Sequence, residues 1–289
     1  MHKISISNYM NWGIMQKVFA YDLDGTLLMK DNTVHPYTQK CLKMVQDKNH
    51  INVIATGRGI KKVIPLIENG IIKNMDYIVF SNGAGIYNIQ TKEIHLINNL
   101  DPKIFDMLYQ KALQYNLILT IDTINYNGTI LPNNDYPRWM SKEQIMDMNI
   151  LNVASYYEIK SLIHTQPNSV TQLALRNPLK LAAQITDEVK KSIDLDKYEV
   201  YLTNSVYTDV NPKNTSKLNG LKYLLKLLNT NTDSLIAFGD SGNDVPMLYE
   251  AKIGVSLGNG TKEAKEVSNL IIGDHESPTI GHTILSLID

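Results

Sequence analysis

The stretch "KVFAYDLDGTLL", residues 17–28, decides the fold of this chain. An apolar strand, residues 18–21, runs directly into Asp22 and Asp24, and the chain then breaks at Gly25. Two carboxylates one residue apart repel each other, and neither helps a strand to become buried. The pattern therefore indicates a strand end where these two groups meet a cation or act as an acid and a base.

Apolar strands of the same kind recur along the chain, and helical segments separate them. The strands "INVIATG", "YIVFSNG" and "SLIAFGD" begin at residues 51, 77 and 234. After the first strand, helical spacing puts Val34, Thr38, Cys41, Leu42 and Val45 on one face. Strands that are apolar on both faces predict a parallel sheet covered on both sides by helices. We therefore predict an α/β fold with a Rossmann-like, doubly wound parallel sheet as its core.

The middle of the chain follows a different pattern. Strands such as "TQLAL" alternate more with polar residues, which predicts a sheet with one exposed face, and "SKEQIMDMNILN" is predicted to be helical. From about residue 195 the first pattern resumes, beginning with "YEVYLTNSVYTDV". We predict a catalytic core made of residues 1–87 and 193–289, into which residues 88–192 are inserted as an α+β module.

The composition excludes several classes of protein. A formal net charge of −1 gives no general attraction to nucleic acid or to an anionic membrane. No apolar run is long enough to span a bilayer, and polar residues interrupt the first 16 before a signal-peptide core develops. Cys41 is the single cysteine, so it is expected to be a buried thiol without a disulfide partner. We expect a cytoplasmic monomer that has no nucleic-acid or membrane partner.

Four carboxylates follow two of the predicted strands. Asp22 and Asp24 end the first, and Asp240 and Asp244 follow "SLIAFG". Ligands of open α/β sheets bind beyond the carboxyl ends of the strands, so these groups should converge in one crevice. Such a cluster needs a hard cation, and Mg²⁺ prefers a few carboxylates together with waters and a phosphate oxygen. The sequence therefore predicts a magnesium site that serves phosphate chemistry.

A calcium loop and a simple turn account for these aspartates less well than a magnesium site does. An EF-hand loop starting at Asp22 would need Gly where Leu27 stands and Glu where Thr33 stands, and a loop starting at Asp240 fails in the same way. An Asp-Gly pair can also simply form a turn, but a turn does not account for the second cluster.

Groups that could hold a phosphate accompany the aspartates. Gly25 and Thr26 can present backbone N–H groups as the chain turns, and Thr56 offers a hydroxyl at the end of its strand. Lys217 opens the helix "SKLNGLKYLLKLL", where a cation opposes the helix dipole, and this placement favours a functional role.

Four motifs together resemble those of the haloacid dehalogenase-like (HAD) phosphatases. They are "DLDGT", the strand-terminal "ATGR", the lysine of "NTSKLNGL" and "FGDSGNDVPML". The large insert after "SNGAGIY" resembles the C2-type cap of the Cof-type subfamily. The resemblance begins near Gln16, so residues 1–14 have no counterpart in the pattern.

The resemblance implies a role for each aspartate. Asp22 would attack phosphorus and form an aspartyl-phosphate. Asp24 would keep its proton for the leaving oxygen, later deprotonate the attacking water, and offer its backbone carbonyl to Mg²⁺. Asp240 would complete the metal site, and Asp244 would bind or orient the ion.

The resemblance also implies phosphate and substrate contacts. Residues expected to hold the phosphoryl group are Gly25, Thr56, Gly57, Lys217 and Asn243, with Ser241 as a further contact. Arg58 and Asn82 are expected to touch the substrate. In the cap, weaker candidates for substrate contact are Tyr126, Asn127, Arg138, Trp139 and Arg176.

Three functions are compatible with the sequence. A Mg²⁺-dependent phosphatase for small phosphorylated metabolites is favoured. An aspartate at position 24 fits either ester hydrolysis or phosphomutase chemistry in this family. A phosphomannomutase-like phosphomutase would need several arginines in the cap, which offers Arg138 and Arg176. A non-catalytic binding protein would usually have lost one of the motif aspartates.

Overall fold

The computed structural model describes residues 16–140 and 152–289. The segment that precedes the family resemblance, and the helix predicted in "SKEQIMDMNILN" apart from its last residue, lie outside the described residues.

The described residues form thirteen strands and nine α-helices. The strands are β1 (Val18–Tyr21), β2 (Ile51–Ala55), β3 (Tyr77–Phe80), β4 (Gly85–Asn88), β5 (Ile94–Leu96), β6 (Ile118–Thr123), β7 (Asn127–Ile130), β8 (Val170–Arg176), β9 (Tyr198–Thr203), β10 (Tyr207–Pro212), β11 (Leu235–Gly239), β12 (Ile253–Ser256) and β13 (Leu270–Ile271). The helices are α1 (Pro36–Asp47), α2 (Ile60–Glu68), α3 (Phe105–Tyr115), α4 (Tyr156–Thr165), α5 (Ala182–Ser192), α6 (Lys217–Leu227), α7 (Val245–Glu250), α8 (Lys262–Val267) and α9 (Thr279–Leu287).

The larger sheet has the strand order β13-β12-β11-β1-β2-β3-β4-β5. The six strands from β13 to β3 are parallel, and β4 and β5 extend the sheet as antiparallel strands. Phe19 and Tyr21 of β1 pack into the apolar cluster that includes α1, α2 and α9, whereas Val18 and Ala20 pack into the one that includes α6, α7 and α8. The predicted doubly wound parallel core is confirmed, and we call this sheet with its helices the core.

Local sequence explains where the first helix of the core lies. Pro36 occupies the first turn of α1, where a missing N–H costs nothing, and the His35 side chain accepts a hydrogen bond from Tyr37 N. The predicted apolar face is buried, including Cys41, whose thiol is free. Helical spacing in the sequence therefore identified the core-facing side of α1.

The smaller sheet is antiparallel throughout and has the order β7-β6-β8-β10-β9. The assignment of "YEVYLTNSVYTDV" to the core sheet is therefore wrong, because β9 and β10 pair with each other and with β8. The reason lies in the turn: Asn204 and Ser205 both have positive φ, 48° and 58°, and Val206 N donates to Thr203 O. This is the geometry of a tight hairpin turn, which joins antiparallel strands. We call this sheet with helices α3, α4 and α5 the cap.

The two faces of the cap sheet differ in polarity. Leu119, Ile121, Leu173, Leu175 and Val210 point into an apolar cluster with the three cap helices. The opposite face carries Thr120 and Asp122 on β6, Gln172, Ala174 and Arg176 on β8, and Tyr207, Asp209 and Asn211 on β10. The polar face was predicted to be exposed, but these residues are largely buried because it lies against the core. Among the described helices, none is both long and apolar enough to cross a membrane.

Candidate active site

Two neighbouring core strands bring the predicted carboxylates together. The strands β1 and β11 pair in register, Tyr21 with Phe238, and Asp22 N continues the ladder by donating to Phe238 O (3.0 Å). One carboxylate oxygen from each of Asp22, Asp240 and Asp244 lies within 4.8 Å of the others. We call these three residues the acidic cluster. An all-oxygen donor set of this kind fits a hard divalent cation such as Mg²⁺.

Lys217 is buried against the acidic cluster. Its Nζ lies 2.5 Å from Asp22 Oδ1 and 2.7 Å from Asp244 Oδ1, and its side chain is 1% exposed. Burial alone would lower the pKa of Lys217, but the two carboxylates outweigh it and raise the pKa. Burial raises the pKa of Asp22 well above its ordinary value, and the charge of Lys217 opposes that shift. Lys217 is thus placed to compensate the charge of the residue expected to act as nucleophile.

The first turn of α6 holds this lysine in place. Ser216 precedes it as the N-cap residue, and its side chain accepts a hydrogen bond from Asn219 N (3.1 Å). The cap satisfies one free backbone donor of the helix end. The unfavourable position of a cation at this helix end is offset by the two carboxylates that it contacts.

Asp24 forms a two-pronged ion pair with Arg58. Arg58 Nε donates to Asp24 Oδ2 (2.8 Å) and Nη2 donates to Asp24 Oδ1 (2.5 Å). Burial tends to raise the pKa of Asp24, but the Arg58 guanidinium outweighs burial and holds the pKa below its ordinary value. The expectation that Asp24 retains its proton does not describe this structure, because the forked guanidinium favours the carboxylate.

The loops around the acidic cluster fix its carboxylates. Thr26 is fully buried, and its Oγ1 donates to Asp240 Oδ1 (2.7 Å). Backbone N–H groups of Asp240 and Ser241 both donate to Asp244 Oδ2 (3.0 Å). Burial raises the pKa of Asp240 to about 6, and the charge of Asp244 adds to the shift. Sequence reasoning assigned Thr26 a backbone role only and missed that its hydroxyl orients Asp240.

Gly25 lies where the chain passes closest to the acidic cluster. Its φ is +83°, a conformation that residues with a Cβ rarely adopt. A Cβ at this position would lie 2.6 Å from Asp240 Oδ2. The glycine of "DLDGT" is therefore required for the turn that brings Asp22 and Asp240 together.

The residues predicted to contact phosphate lie around the acidic cluster, and their side chains differ in how far they are exposed. Gly57 and Asn243 line the cavity above the acidic cluster, together with Asp22, Asp24, Gly25 and Arg58. Thr56 is buried beside it, and its Oγ1 accepts a hydrogen bond from Arg58 N (3.1 Å). Ser241 Oγ donates to Asn243 Oδ1 (2.6 Å), so it positions that amide.

Asn82 connects the core to the cap. Its Nδ2 lies 3.1 Å from each of three cap oxygens, on Gln172, Asp209 and Asn211. Its Oδ1 accepts a hydrogen bond from Asn243 Nδ2 (2.9 Å), on the loop that follows β11. Asn82 was expected to touch substrate, whereas the structure buries it between the cap and the acidic-cluster loop.

The cap closes over the acidic cluster and leaves a cavity of about 560 Å³. Gln172 Nε2 donates to Gly57 O (3.0 Å), and Lys62 of α2 forms a buried ion pair with Asp122 (2.8 Å). The cap residues that line the cavity are Thr120, Asp122, Gln172, Ala174, Thr203, Asn204, Tyr207 and Asp209. The remaining wall comes from the core residues Leu28, Met29, Lys30, Asn32, Lys62 and His275. Sequence reasoning missed these residues because only the tertiary fold brings them together.

The five cap candidates proposed from sequence lie elsewhere. Tyr126, Asn127, Arg138, Trp139 and Arg176 are absent from the cavity lining formed by the described residues. Trp139 Nε1 donates to Asn116 O (2.8 Å), and the Arg176 guanidinium packs against the rings of Trp139 and Tyr207, 5.6 Å and 5.3 Å away. Arg176 therefore packs within the cap, whereas Tyr207 also reaches the cavity.

Comparison with known proteins agrees with the geometry. The family model of haloacid dehalogenase-like hydrolases matches residues 19–284. The HMP-PP phosphatase of Enterobacter sp. (strain 638) is 25% identical over 285 residues, which cover 95% of this chain and 97% of the relative. The pyridoxal phosphate phosphatase YbhA of Escherichia coli (strain K12) is 24% identical, with 93% and 98% covered.

A solved structure shows the same fold. BT4131, a sugar phosphatase of HAD subclass IIB, superposes with a TM-score of 0.76 at 19% identity, covering 95% of this chain and 100% of that one. The converging aspartates and the family match lead to one conclusion. The chain belongs to the haloacid dehalogenase-like hydrolase family, in its Cof-type branch of phosphatases.

Proposed function

We propose that this chain is a Mg²⁺-dependent phosphatase that hydrolyses small phosphorylated metabolites through an aspartyl-phosphate on Asp22. The observation that carries the proposal is the convergence of the acidic cluster and Lys217 beside the cavity that Asp22 and Asp24 line. The relatives described above are named for chemically different phosphorylated compounds. They therefore support a phosphatase reaction but do not identify the leaving group.

The cation site would be formed by Asp22, Asp240 and Asp244, with the backbone carbonyl of Asp24 as a further ligand. When bound, Mg²⁺ supplies positive charge that offsets the carboxylates and the phosphoryl oxygens. Thr26 and the backbone N–H groups of Asp240 and Ser241 hold two of the ligands in place.

Each reacting side chain has a separate role in the proposed reaction. An Asp22 oxygen attacks phosphorus, and the bond from phosphorus to the leaving oxygen breaks. Asp24, held as the carboxylate by Arg58 in this structure, has to take up a proton from solvent once Arg58 releases it. It then gives that proton to the leaving oxygen, and it later takes a proton from the water that hydrolyses the aspartyl-phosphate. Lys217 and backbone N–H groups near Gly25 and Gly57 stabilise charge on the phosphoryl oxygens. Arg58 has to release Asp24 for the first proton transfer, and the incoming phosphate offers the guanidinium a second anionic partner.

The closed cap has two roles in this scheme. It excludes water from the aspartyl-phosphate while the leaving group is present, and its polar face contacts that leaving group. No cap arginine lines the cavity formed by the described residues, so nothing there favours the second phosphate site that a phosphomutase needs.

Release of inorganic phosphate across a panel of substrates tests the proposal. The panel contains sugar phosphates, nucleotides, flavin mononucleotide and pyridoxal phosphate, each with Mg²⁺ or with EDTA. We expect turnover that requires Mg²⁺ and is lost in Asp22→Asn. The matched control is Asp47→Asn, since Asp47 pairs with Lys43 on the surface and should not affect turnover.

If folded, Mg²⁺-loaded protein released no phosphate from any substrate of the panel, the result would contradict the proposal. Interconversion of sugar phosphates in the presence of a hexose bisphosphate would then identify a phosphomutase, and tight binding without turnover would identify a binding protein. The expectation of a cytoplasmic monomer that binds no nucleic acid stays a prediction; size-exclusion chromatography tests its oligomeric state.

A further inference from the structure

The polar face of the cap sheet is organised in rows that cross three strands. Strand register aligns Asp122 of β6 with Gln172 of β8, and Asn211 of β10 follows Val210, the partner of Leu173. These three side chains dock the cap on the core. Asp122 pairs with Lys62, Gln172 donates to Gly57 O, and Asn211 Nδ2 donates to Ser81 O (3.0 Å).

The next row consists of Thr120, Ala174 and Asp209, and it lies over the cavity. Ala174 pairs with Thr120 on one side and with Asp209 on the other. All three line the cavity. Because neighbouring strands lie about 4.8 Å apart, Thr120 and Asp209 stand roughly 10 Å apart, with the small Ala174 between them. The row therefore forms a recess with a methyl group at its centre and a polar group at each end.

The polar atoms of this row are not all used by the protein. Asp209 Oδ2 accepts hydrogen bonds from Thr203 Oγ1 (3.0 Å) and Asn82 Nδ2 (3.1 Å). Within residues 16–140 and 152–289, neither Asp209 Oδ1 nor Thr120 Oγ1 has a hydrogen-bond partner. Thr120 is 2% exposed and Asp209 4% exposed, so each is held in one place by its surroundings. Both residues line the cavity, and neither of these two atoms is a fully buried unpaired atom, so each is open to a hydrogen bond with a ligand that enters the cavity.

We propose that Thr120, Ala174 and Asp209 form the leaving-group pocket, and that this pocket selects an aliphatic leaving group bearing hydroxyls, as in an alditol or sugar monophosphate. The proposal rests on the proposed phosphatase function and adds the substrate class. A hydroxyl donates to the Asp209 carboxylate, a second hydroxyl pairs with Thr120, and the carbon chain lies under Ala174. An aromatic leaving group without a hydrogen-bond donor, such as that of benzyl phosphate, would leave the Asp209 carboxylate unpaired, which a hydrogen-bonding site penalises strongly.

Kinetics on three substrates test the pocket. They are sorbitol 6-phosphate, benzyl phosphate, and acetyl phosphate, whose two-carbon leaving group is too short to span the row. We expect wild-type protein to have a kcat/KM for sorbitol 6-phosphate at least tenfold above that for benzyl phosphate. In Asp209→Asn and Ala174→Leu, the ratio of kcat/KM for sorbitol 6-phosphate to that for acetyl phosphate should fall at least tenfold, chiefly through KM.

Two further variants guard against a misfolded protein. Thr120→Val keeps the shape of the side chain and removes the hydroxyl, so the same ratio should fall at least threefold without loss of the folded state by circular dichroism. Ala183→Leu adds the same bulk as Ala174→Leu on the exposed side of α5 and should keep the wild-type ratio. Equal ratios in wild type and all pocket variants, or a wild-type preference for benzyl phosphate, would overturn the proposal.

Binding separates failure of the pocket from failure of the phosphatase function. Hydrolysis of acetyl phosphate shows that the reaction occurs whatever the pocket selects. If no substrate is hydrolysed, titration calorimetry of sorbitol 6-phosphate into the Asp22→Asn protein shows whether the pocket binds this compound. Binding that Asp209→Asn weakens at least tenfold would support the pocket, and absence of binding would overturn it.

Discussion

Replacing Lys217 by alanine should destabilise the protein by about 3–5 kcal/mol, because it leaves two buried carboxylates without their shared cation. Asp22 and Asp244 are 6% and 0% exposed at their side chains, and each lies within 2.7 Å of Lys217 Nζ. Water cannot easily reach these carboxylates to compensate the lost charge. Urea unfolding in EDTA, followed by circular dichroism, measures the change. A free energy of unfolding within 1 kcal/mol of wild type would refute the charge balance described for this site.

Magnesium gives a second measurement on the same variant. The Lys217 ammonium competes with a cation for Asp22, so its removal should increase the stabilisation that Mg²⁺ confers. A ligand at a hundred times its Kd stabilises the folded state by about 2.7 kcal/mol, which sets the scale of the effect. The matched control is Lys222→Ala on the same helix. Lys222 forms an exposed pair with Glu250, so its loss should change stability by less than about 1 kcal/mol.

Three further changes are expected to have defined outcomes. Gly25→Ala places a methyl group 2.6 Å from a carboxylate oxygen of the acidic cluster, so calorimetry should show Mg²⁺ binding weakened at least tenfold; binding within twofold of wild type would contradict this. Burial raises the pKa of Asp209 to about 6, with Lys62 and Asp122 as the charges that face it. That stabilisation is complete well below pH 4 and is lost as the pH rises through about 6, so Asp209→Asn should gain about 2 kcal/mol relative to wild type between pH 4 and pH 7. A flat difference across this range in urea unfolding would argue against the raised pKa. Ser155→Ala removes the capping box of α4 and should cost about 1 kcal/mol in the same assay, whereas no change would show that the cap contributes nothing.

The strand ends of the core could be predicted from sequence because each strand is followed directly by its functional residues. Asp22 and Asp240 lie far apart in the chain, but both follow a buried apolar strand, and parallel strands present their carboxyl ends at one edge. The family resemblance placed Lys217 in the site, and its first contact there is with Asp22. Its second contact, with Asp244, depends on the exact position of α6 against the loop after β11.

The cap side of the cavity could not be predicted because no local sequence pattern marks the residues that line it. Thr120, Ala174 and Asp209 are ordinary residues of three alternating strands, and only strand register aligns them. The hairpin of β9 and β10 was assigned to the wrong sheet because its Asn204-Ser205 turn lacks the glycine typical of such turns. The contacts of Asn82 with the cap join residues about 90 to 130 positions away, which no periodicity reveals.

The strand order of the core also sets the order in which the protein can be completed during synthesis. Strand β1 lies between β2 and β11, and Val18 pairs with Leu235. Every strand of the cap sheet has left the ribosome once Pro212 emerges, so the cap can fold while β1 still has an open, apolar edge. Because Asp240 and Asp244 follow β11, the acidic cluster forms only after that edge is closed. A nascent chain stalled before residue 235 should thus carry a protease-resistant cap and a core that neither resists digestion nor gains protection from magnesium.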